Sequence, residues 1–76
     1  MRMLADLQQG ESAKLKCVLL PEDIANRVME AGFVPGTLIK LVHCAPGGSP
    51  RVYRLDGAEI AIRRELAAAL QMEEES

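Results

Sequence analysis

Apolar and charged residues alternate strictly over Ala13-Lys14-Leu15-Lys16-Cys17, the period-2 pattern of a strand with one wet face. Leu19-Leu20-Pro21 closes that strand, and Pro21-Glu22-Asp23 starts a helix, with proline in the first turn and two acids at the positive end of the dipole. Ile24, Ala25, Val28 and Met29 then fall on one stripe at helical spacing, with Asn26, Arg27 and Glu30 on the other face. So short a helix is not stable alone in water, so its stripe must dock on a neighbouring sheet. Gly32 is placed to stop it, because glycine accepts a left-handed C′ position without a Cβ clash.

Val34-Pro35-Gly36 reads as a turn and Thr37–Cys44 as a second strand. Ile39 and Leu41 share one face of it, opposite Lys40. Val42 and Cys44 break that phase, so either a bulge between Leu41 and Val42 bends the strand or both its faces are buried. Ala45-Pro46-Gly47-Gly48-Ser49-Pro50 cannot continue the ladder. Arg51–Leu55 is a third strand, Asp56-Gly57 a tight hairpin turn, and Glu59–Ile62 the returning strand, with Ile60 and Ile62 on one side. Near the start, Leu4 and Leu7 lie three apart, as in a short turn that plugs one end of a core. Taken by propensity alone, Arg63–Leu70 reads as helix. The pattern is mainly β, a small α+β chain.

Seventy-six residues amount to one domain, 1–76, with a small core and a frayed acidic tail at 73–76. No apolar run reaches the roughly 20 residues that span a bilayer, and MRMLADLQQG is not an export signal, so the expected location is the cytoplasm. There Cys17 and Cys44 are free thiols. Nine basic against eleven acidic residues leave a net charge of −2, and with one Phe, one Tyr and no Trp there is no platform for stacking bases, so nucleic acid is not an expected partner.

The chemistry is sparse. Gly47-Gly48 lies between prolines, precedes a strand and lacks the Gly-Lys-Ser/Thr of a phosphate loop, so phosphoryl transfer is not expected. His43 and Cys44 are the only neighbouring soft ligands, and adjacent strand residues point to opposite faces. The plain reading makes Cys44 a small core filler and His43 a solvent-facing residue. The metal reading needs a second chain or an adventitious ion, and no cofactor is expected. Arg51 and Arg54 on one strand, with Arg63-Arg64 on another, read as a solvated rim or as a partner-facing patch. Val34-Pro35 and the loop Pro46, Gly47, Gly48, Ser49, Pro50 are stiff, lose little entropy on docking, and are candidates for protein binding. An oligomer is allowed.

Gly32-Phe33-Val34-Pro35-Gly36-Thr37, then Ala45-Pro46 and Pro50, then Ala61-Ile62-Arg63 resemble the FeoA family of ferrous-iron transport accessory proteins, over roughly residues 3 to 72. The resemblance implies a five-stranded SH3-like barrel with one helix inserted between the first two strands. It also implies a short helical turn near Arg63–Leu66 and a closing strand at about Ala69–Met72, in conflict with propensity. The strand is preferred, because an unpaired edge beside the first strand invites aggregation. The implied function is a non-enzymatic adaptor acting on the cytoplasmic part of the FeoB membrane transporter, without membrane insertion of its own. Arg63, which matches the family's Ala-apolar-Arg unit, is the arginine to expect at that contact. Where family members often carry a large apolar residue and an Asp after Ala-Pro, this chain has Gly47 and Ser49, so its loop is more flexible and less charged. The alternative is a stand-alone regulatory or metal-sensing module, resembling the C-terminal domains of metal-dependent repressors.

Overall fold

The computed structural model describes residues 1–74. An initial 3-10 turn, Leu4–Asp6, leads to β1 (Ser12–Val18), α1 (Glu22–Glu30), β2 (Leu38–Cys44), β3 (Arg51–Leu55), β4 (Ala58–Ile62), α2 (Arg64–Ala67) and β5 (Leu70–Met72). The strands form one antiparallel sheet in the order β4-β3-β2-β1-β5. Leu4, Leu7, Leu15, Phe33, Ile39, Leu41, Tyr53, Leu70 and Met72 fill its concave side, so the two early leucines do plug the core.

Two irregularities curl the sheet. β1 pairs with β2 over Ser12–Lys14 and with β5 over Leu15–Val18, and its register with β5 shifts between Leu15 and Cys17. β2 shifts against β3 between Leu41 and His43, so Val42 is the extra residue and the broken phase of this strand is a bulge. Strand count, antiparallel pairing and the helix between β1 and β2 agree with the expected architecture. Closure does not: among the described residues no ladder joins β4 to β5. The outer edge of β5 is taken by the N-terminal segment, through the Met3–Gln71 bridge and a 2.8 Å hydrogen bond from the Met72 N–H to the Arg2 carbonyl. The sheet is therefore a curled, open one.

The C-terminal segment follows pairing rather than propensity. α2 stops after one turn, and Leu70 and Met72 are buried on β1. Burying these two side chains and completing the second edge of β1 outweighs a few tenths of a kcal/mol per residue of helix preference. The tail expected to fray from residue 73 is held at its first residue, because the Glu73 N–H donates to the Lys14 carbonyl at 2.8 Å. Glu74 is exposed, its carboxylate 3.6 Å from the N-terminal amine, and residues 75–76 lie outside the described residues.

α1 ends in a complete Schellman motif: the Phe33 N–H reaches the Val28 carbonyl at 3.2 Å and the Gly32 N–H reaches Met29 at 3.0 Å. Gly32 has φ +117°, and a Cβ there would stand 3.0 Å from Leu55 Cδ1. Gly32→Val is expected to lower stability by about 1–3 kcal/mol, the scale of a β-branched residue held in a glycine conformation. An unchanged melting temperature would remove Gly32 as the cap that sets Phe33 into the core.

Candidate functional site

Ala25 and Val28 of the α1 stripe are buried, whereas Ile24 keeps 43% of its surface exposed and Met29 is half-buried. The expectation that the whole stripe docks is corrected on this point. The sheet is open on this side, and α1 spans the gap without sealing it. What remains is a groove of about 270 Å³, walled by Ile24 and Val28 of α1, floored by Phe33, and closed opposite by Ile60 and Ile62 of β4 and Leu66 of α2. Arg27 stands at its rim. Sequence reasoning placed Ile60 and Ile62 on one side but missed the groove. The available signal was the stripe itself, in which Ile24 and Ala25 both lead a helix too short to bury every apolar residue.

Arg63 and Arg64, both exposed, follow Ile62 directly along the chain, outside the lining of this groove. The Pro46–Pro50 loop joins them there: Ser49 Oγ accepts a hydrogen bond from the Arg64 N–H at 3.3 Å, capping α2 from outside. The loop is braced by its own backbone, Gly48 N–H to Ala45 carbonyl at 2.9 Å and Ala45 N–H to Pro50 carbonyl at 3.1 Å. Pro46, Gly47 and Pro50 are exposed, while Gly48 and Ser49 are half-buried. The structure thus brings the loop and Arg63 to one corner. Val34 and Pro35 are exposed elsewhere, in a turn closed by Thr37 N–H to Val34 carbonyl at 3.1 Å and pinned to β1 by Gly36 N–H to Leu15 carbonyl at 2.8 Å. Only their neighbour Phe33 reaches the groove.

The metal candidates diverge. His43 is exposed on β2 opposite Val52, whereas the half-buried Cys44 thiol lies 3.7 Å from the Ala45 carbonyl oxygen. Among the described residues no three His, Cys, Asp or Glu side chains gather at metal-binding spacing. The Cys17 thiol instead donates to Gln71 Oε1 at 3.2 Å.

Arg51 is not part of a solvated rim. It is 8% exposed, with Nε donating to the Tyr53 hydroxyl at 2.7 Å, an Nη2 hydrogen bond to the Leu7 carbonyl, and Nη1 3.8 Å from Cys44 Sγ. The Tyr53 hydroxyl in turn donates to the Leu4 carbonyl at 3.2 Å. The Leu7 carbonyl, just past the 3-10 turn, takes the guanidinium, and the Leu4 carbonyl receives the Tyr53 hydroxyl in addition to the Leu7 N–H at 3.2 Å. A wider, polar cleft of about 740 Å³ lies beside Lys14, Leu38 and Glu73, where Arg2 and Glu11 are ion-paired to each other. Arg2 holds the Glu11 carboxyl below its ordinary range.

Residues 2–74 match the FeoA domain. The chain belongs to the FeoA domain family. It is 36% identical over 70 residues to a fusion of Fe(2+) transport protein A with the Fe(2+) transporter FeoB from Porphyromonas gingivalis, a match covering 92% of this chain and 8% of that protein. This FeoA-family chain therefore spans less than a tenth of the length of its curated relative. Iron(II) transport protein A of Clostridium thermocellum superposes with a TM-score of 0.89 at 29% identity, over 95% of this chain and 44% of that one. Stenotrophomonas maltophilia FeoA, solved with zinc and described as a prokaryotic SH3 domain protein and candidate activating factor of ferrous iron transport, gives 0.83 at 30% identity, over 96% and 91%. The fold is thus SH3-like. The same fold occurs in T. acidophilum IdeR, with a TM-score of 0.80 at 21% identity over 93% of this chain and 32% of that one.

Arg51→Met keeps most of the side-chain volume but leaves the Leu7 carbonyl without its donor. A stability loss of about 2 kcal/mol is expected, the scale of a buried charged hydrogen bond, read as a shift of the urea midpoint at constant slope. An unchanged urea midpoint would deny the clamp its role. Burial pushes the Tyr53 phenol above its ordinary value of 10.0, against the opposing hydrogen bond from Arg51. The unfolded chain then loses this proton first, so stability falls as pH rises past about 10 until the folded-state phenol ionises too. Tyr53→Phe is expected to flatten that alkaline fall in melts between about pH 9 and 11.

Proposed function

We propose that this chain is a non-enzymatic accessory module of ferrous-iron uptake that acts in the cytoplasm by docking on the cytoplasmic part of a FeoB-type transporter. The observation that carries this reading is the fusion relative, in which the matched domain and the transporter are one polypeptide. Tethering raises effective concentration without new contacts, so a separate copy has to supply its docking energy from its own surface. The groove between α1 and β4 suits that task. Its apolar walls take one or two large side chains, and Arg27 at the rim offers a planar donor to a carboxylate. The exposed Arg63, next after Ile62 and on the alternate face of the strand, offers a second beside it. The loop 46–50 borders the same corner through Ser49.

The rest of the chain supports an adaptor over an enzyme or a carrier. Gly47-Gly48 sits in a self-bonded turn before a strand, with no helix N-terminus to hold a phosphate. Among the described residues no helix is long and apolar enough to cross a membrane. His43 and Cys44 would need ligands from a second chain to hold a metal, so no resident cofactor is part of this reading. A regulatory module like those of metal-dependent repressors draws on the shared fold with IdeR alone.

Pull-down from native membranes is expected to recover the transporter. Recovery of a repressor or of DNA instead would replace this reading with the regulatory one. Arg63→Glu is expected to leave folding within about 0.5 kcal/mol, as for an exposed site, and to weaken transporter-dependent iron uptake in cells lacking the native protein. Full stability with full uptake would take Arg63 out of the contact.

A further inference from the structure

The two edges of the sheet are treated differently. β5 is covered by Met3 and Arg2, but β4 is not covered by anything among the described residues. Which β4 groups are free follows from its hairpin. Asp56 and Gly57 both have positive φ, 49° and 80°, in a two-residue connection between Leu55 and Ala58, which is a type I′ turn. In that turn the closing pair, Leu55 and Ala58, exchanges both backbone hydrogen bonds. Alternation along an antiparallel ladder then makes Tyr53–Ile60 and Arg51–Ile62 the other bonded pairs. The N–H and C=O groups of Glu59 and Ala61 therefore point away from β3, and so does the Arg63 N–H. The Arg63 carbonyl already receives the Leu66 and Ala67 N–H groups of α2, both at 3.1 Å.

The geometry points to this edge as a pairing surface for a second copy of the chain, β4 against β4 in antiparallel register centred on Ala61. Only outward-pointing residues can form the new bonded pairs, which restricts the register to Glu59, Ala61 and Arg63. Centring on Ala61 sets Glu59 directly opposite Arg63 of the second copy, twice by symmetry. It also sets Ile60 opposite Ile62 on the groove side, again twice, at the closely spaced non-bonded pairs, and leaves the small Ala61 on the axis. Four backbone hydrogen bonds result, two between the Ala61 residues and one from each Arg63 N–H to a Glu59 carbonyl. Opposite charges and β-branched pairs facing across strands are the pairings that stabilise a ladder. A self-complementary patch of this kind produces a closed two-fold dimer rather than a filament.

Pairing engages Arg63, so a dimer and a transporter-docked chain would draw on the same side chain. The test uses the purified chain alone and is separate from docking. Sedimentation equilibrium between about 10 μM and 1 mM, the range of weak association, is expected to show a monomer–dimer equilibrium. Glu59→Arg places arginine opposite Arg63 and is expected to weaken it by about tenfold or more, given two attractive cross-strand pairs turned repulsive. Glu59→Arg/Arg63→Glu restores opposite charges and is expected to restore the dimer. Glu59 also pairs with Arg54 at 2.6 Å on the surface, so thermal melts accompany each variant. Amide shifts in the unaltered chain give a readout free of folding effects: concentration-dependent changes should concentrate at Glu59, Ala61 and Arg63. A monomer at all concentrations overturns the inference, as does a dimer indifferent to both variants or shifts centred on another element.

Discussion

β1 has to satisfy two partners along seven residues, and the rest of the structure depends on how it does so. It gives its first half to β2 and its second half to β5, bending at the register shift between Leu15 and Cys17. That bend turns a flat hairpin array into a curled sheet with a concave side deep enough for Phe33, Tyr53 and Met72. It also commits β5 to the β1 side, where the N-terminal segment covers the remaining edge. The opposite end of the sheet is left open, and the groove and the free β4 edge are both consequences. Uncovered surface is what remains when one strand is shared between two neighbours.

A small chain cannot bury only hydrocarbon. Its core boundary passes through the carbonyls of the N-terminal turn, and those carbonyls need donors that solvent does not reach. Arg51 and Tyr53 supply them from β3 with a planar fork and a hydroxyl. Both stand on inward-facing positions of one strand, with Arg51 stacked 6.0 Å from the Tyr53 ring centroid. The guanidinium costs desolvation but has every donor group occupied or adjacent to an acceptor, which keeps it compatible with burial. No buried side-chain nitrogen or oxygen lacks a partner among the described residues.

These features are the ones on which the proposed adaptor role rests. Catalytic sites converge titratable groups, whereas here the histidine and two thiols are dispersed over three surroundings, solvent, Arg51 and Gln71. What converges is apolar surface, with Arg27 at its rim. Membership of the FeoA domain family and the fused relative are what the proposed setting in ferrous iron transport rests on.

Local chemistry determined much of this fold from the sequence alone. Gly32 stops α1 and Asp56-Gly57 turns the β3–β4 hairpin, because each depends on the φ preferences of a few adjacent residues. The broken phase after Leu41 left a bulge and a two-sided strand both open until the register with β3 decided for the bulge. The recognised family pattern, rather than propensity, located β5. The candidate site was legible only in pieces: Arg63 and the Pro46–Pro50 loop as separate segments, with no sign that Ser49 joins them. Tertiary structure decided the rest. Whether Arg51 is rim or core, whether Ile24 is covered, and which sheet edge stays unpaired depend on which distant segments pack at each surface. Leu7 lies 44 residues from the arginine it anchors, and no local pattern around Arg51 encodes that meeting. Side-chain period states which way a residue points; only packing decides what is there to receive it.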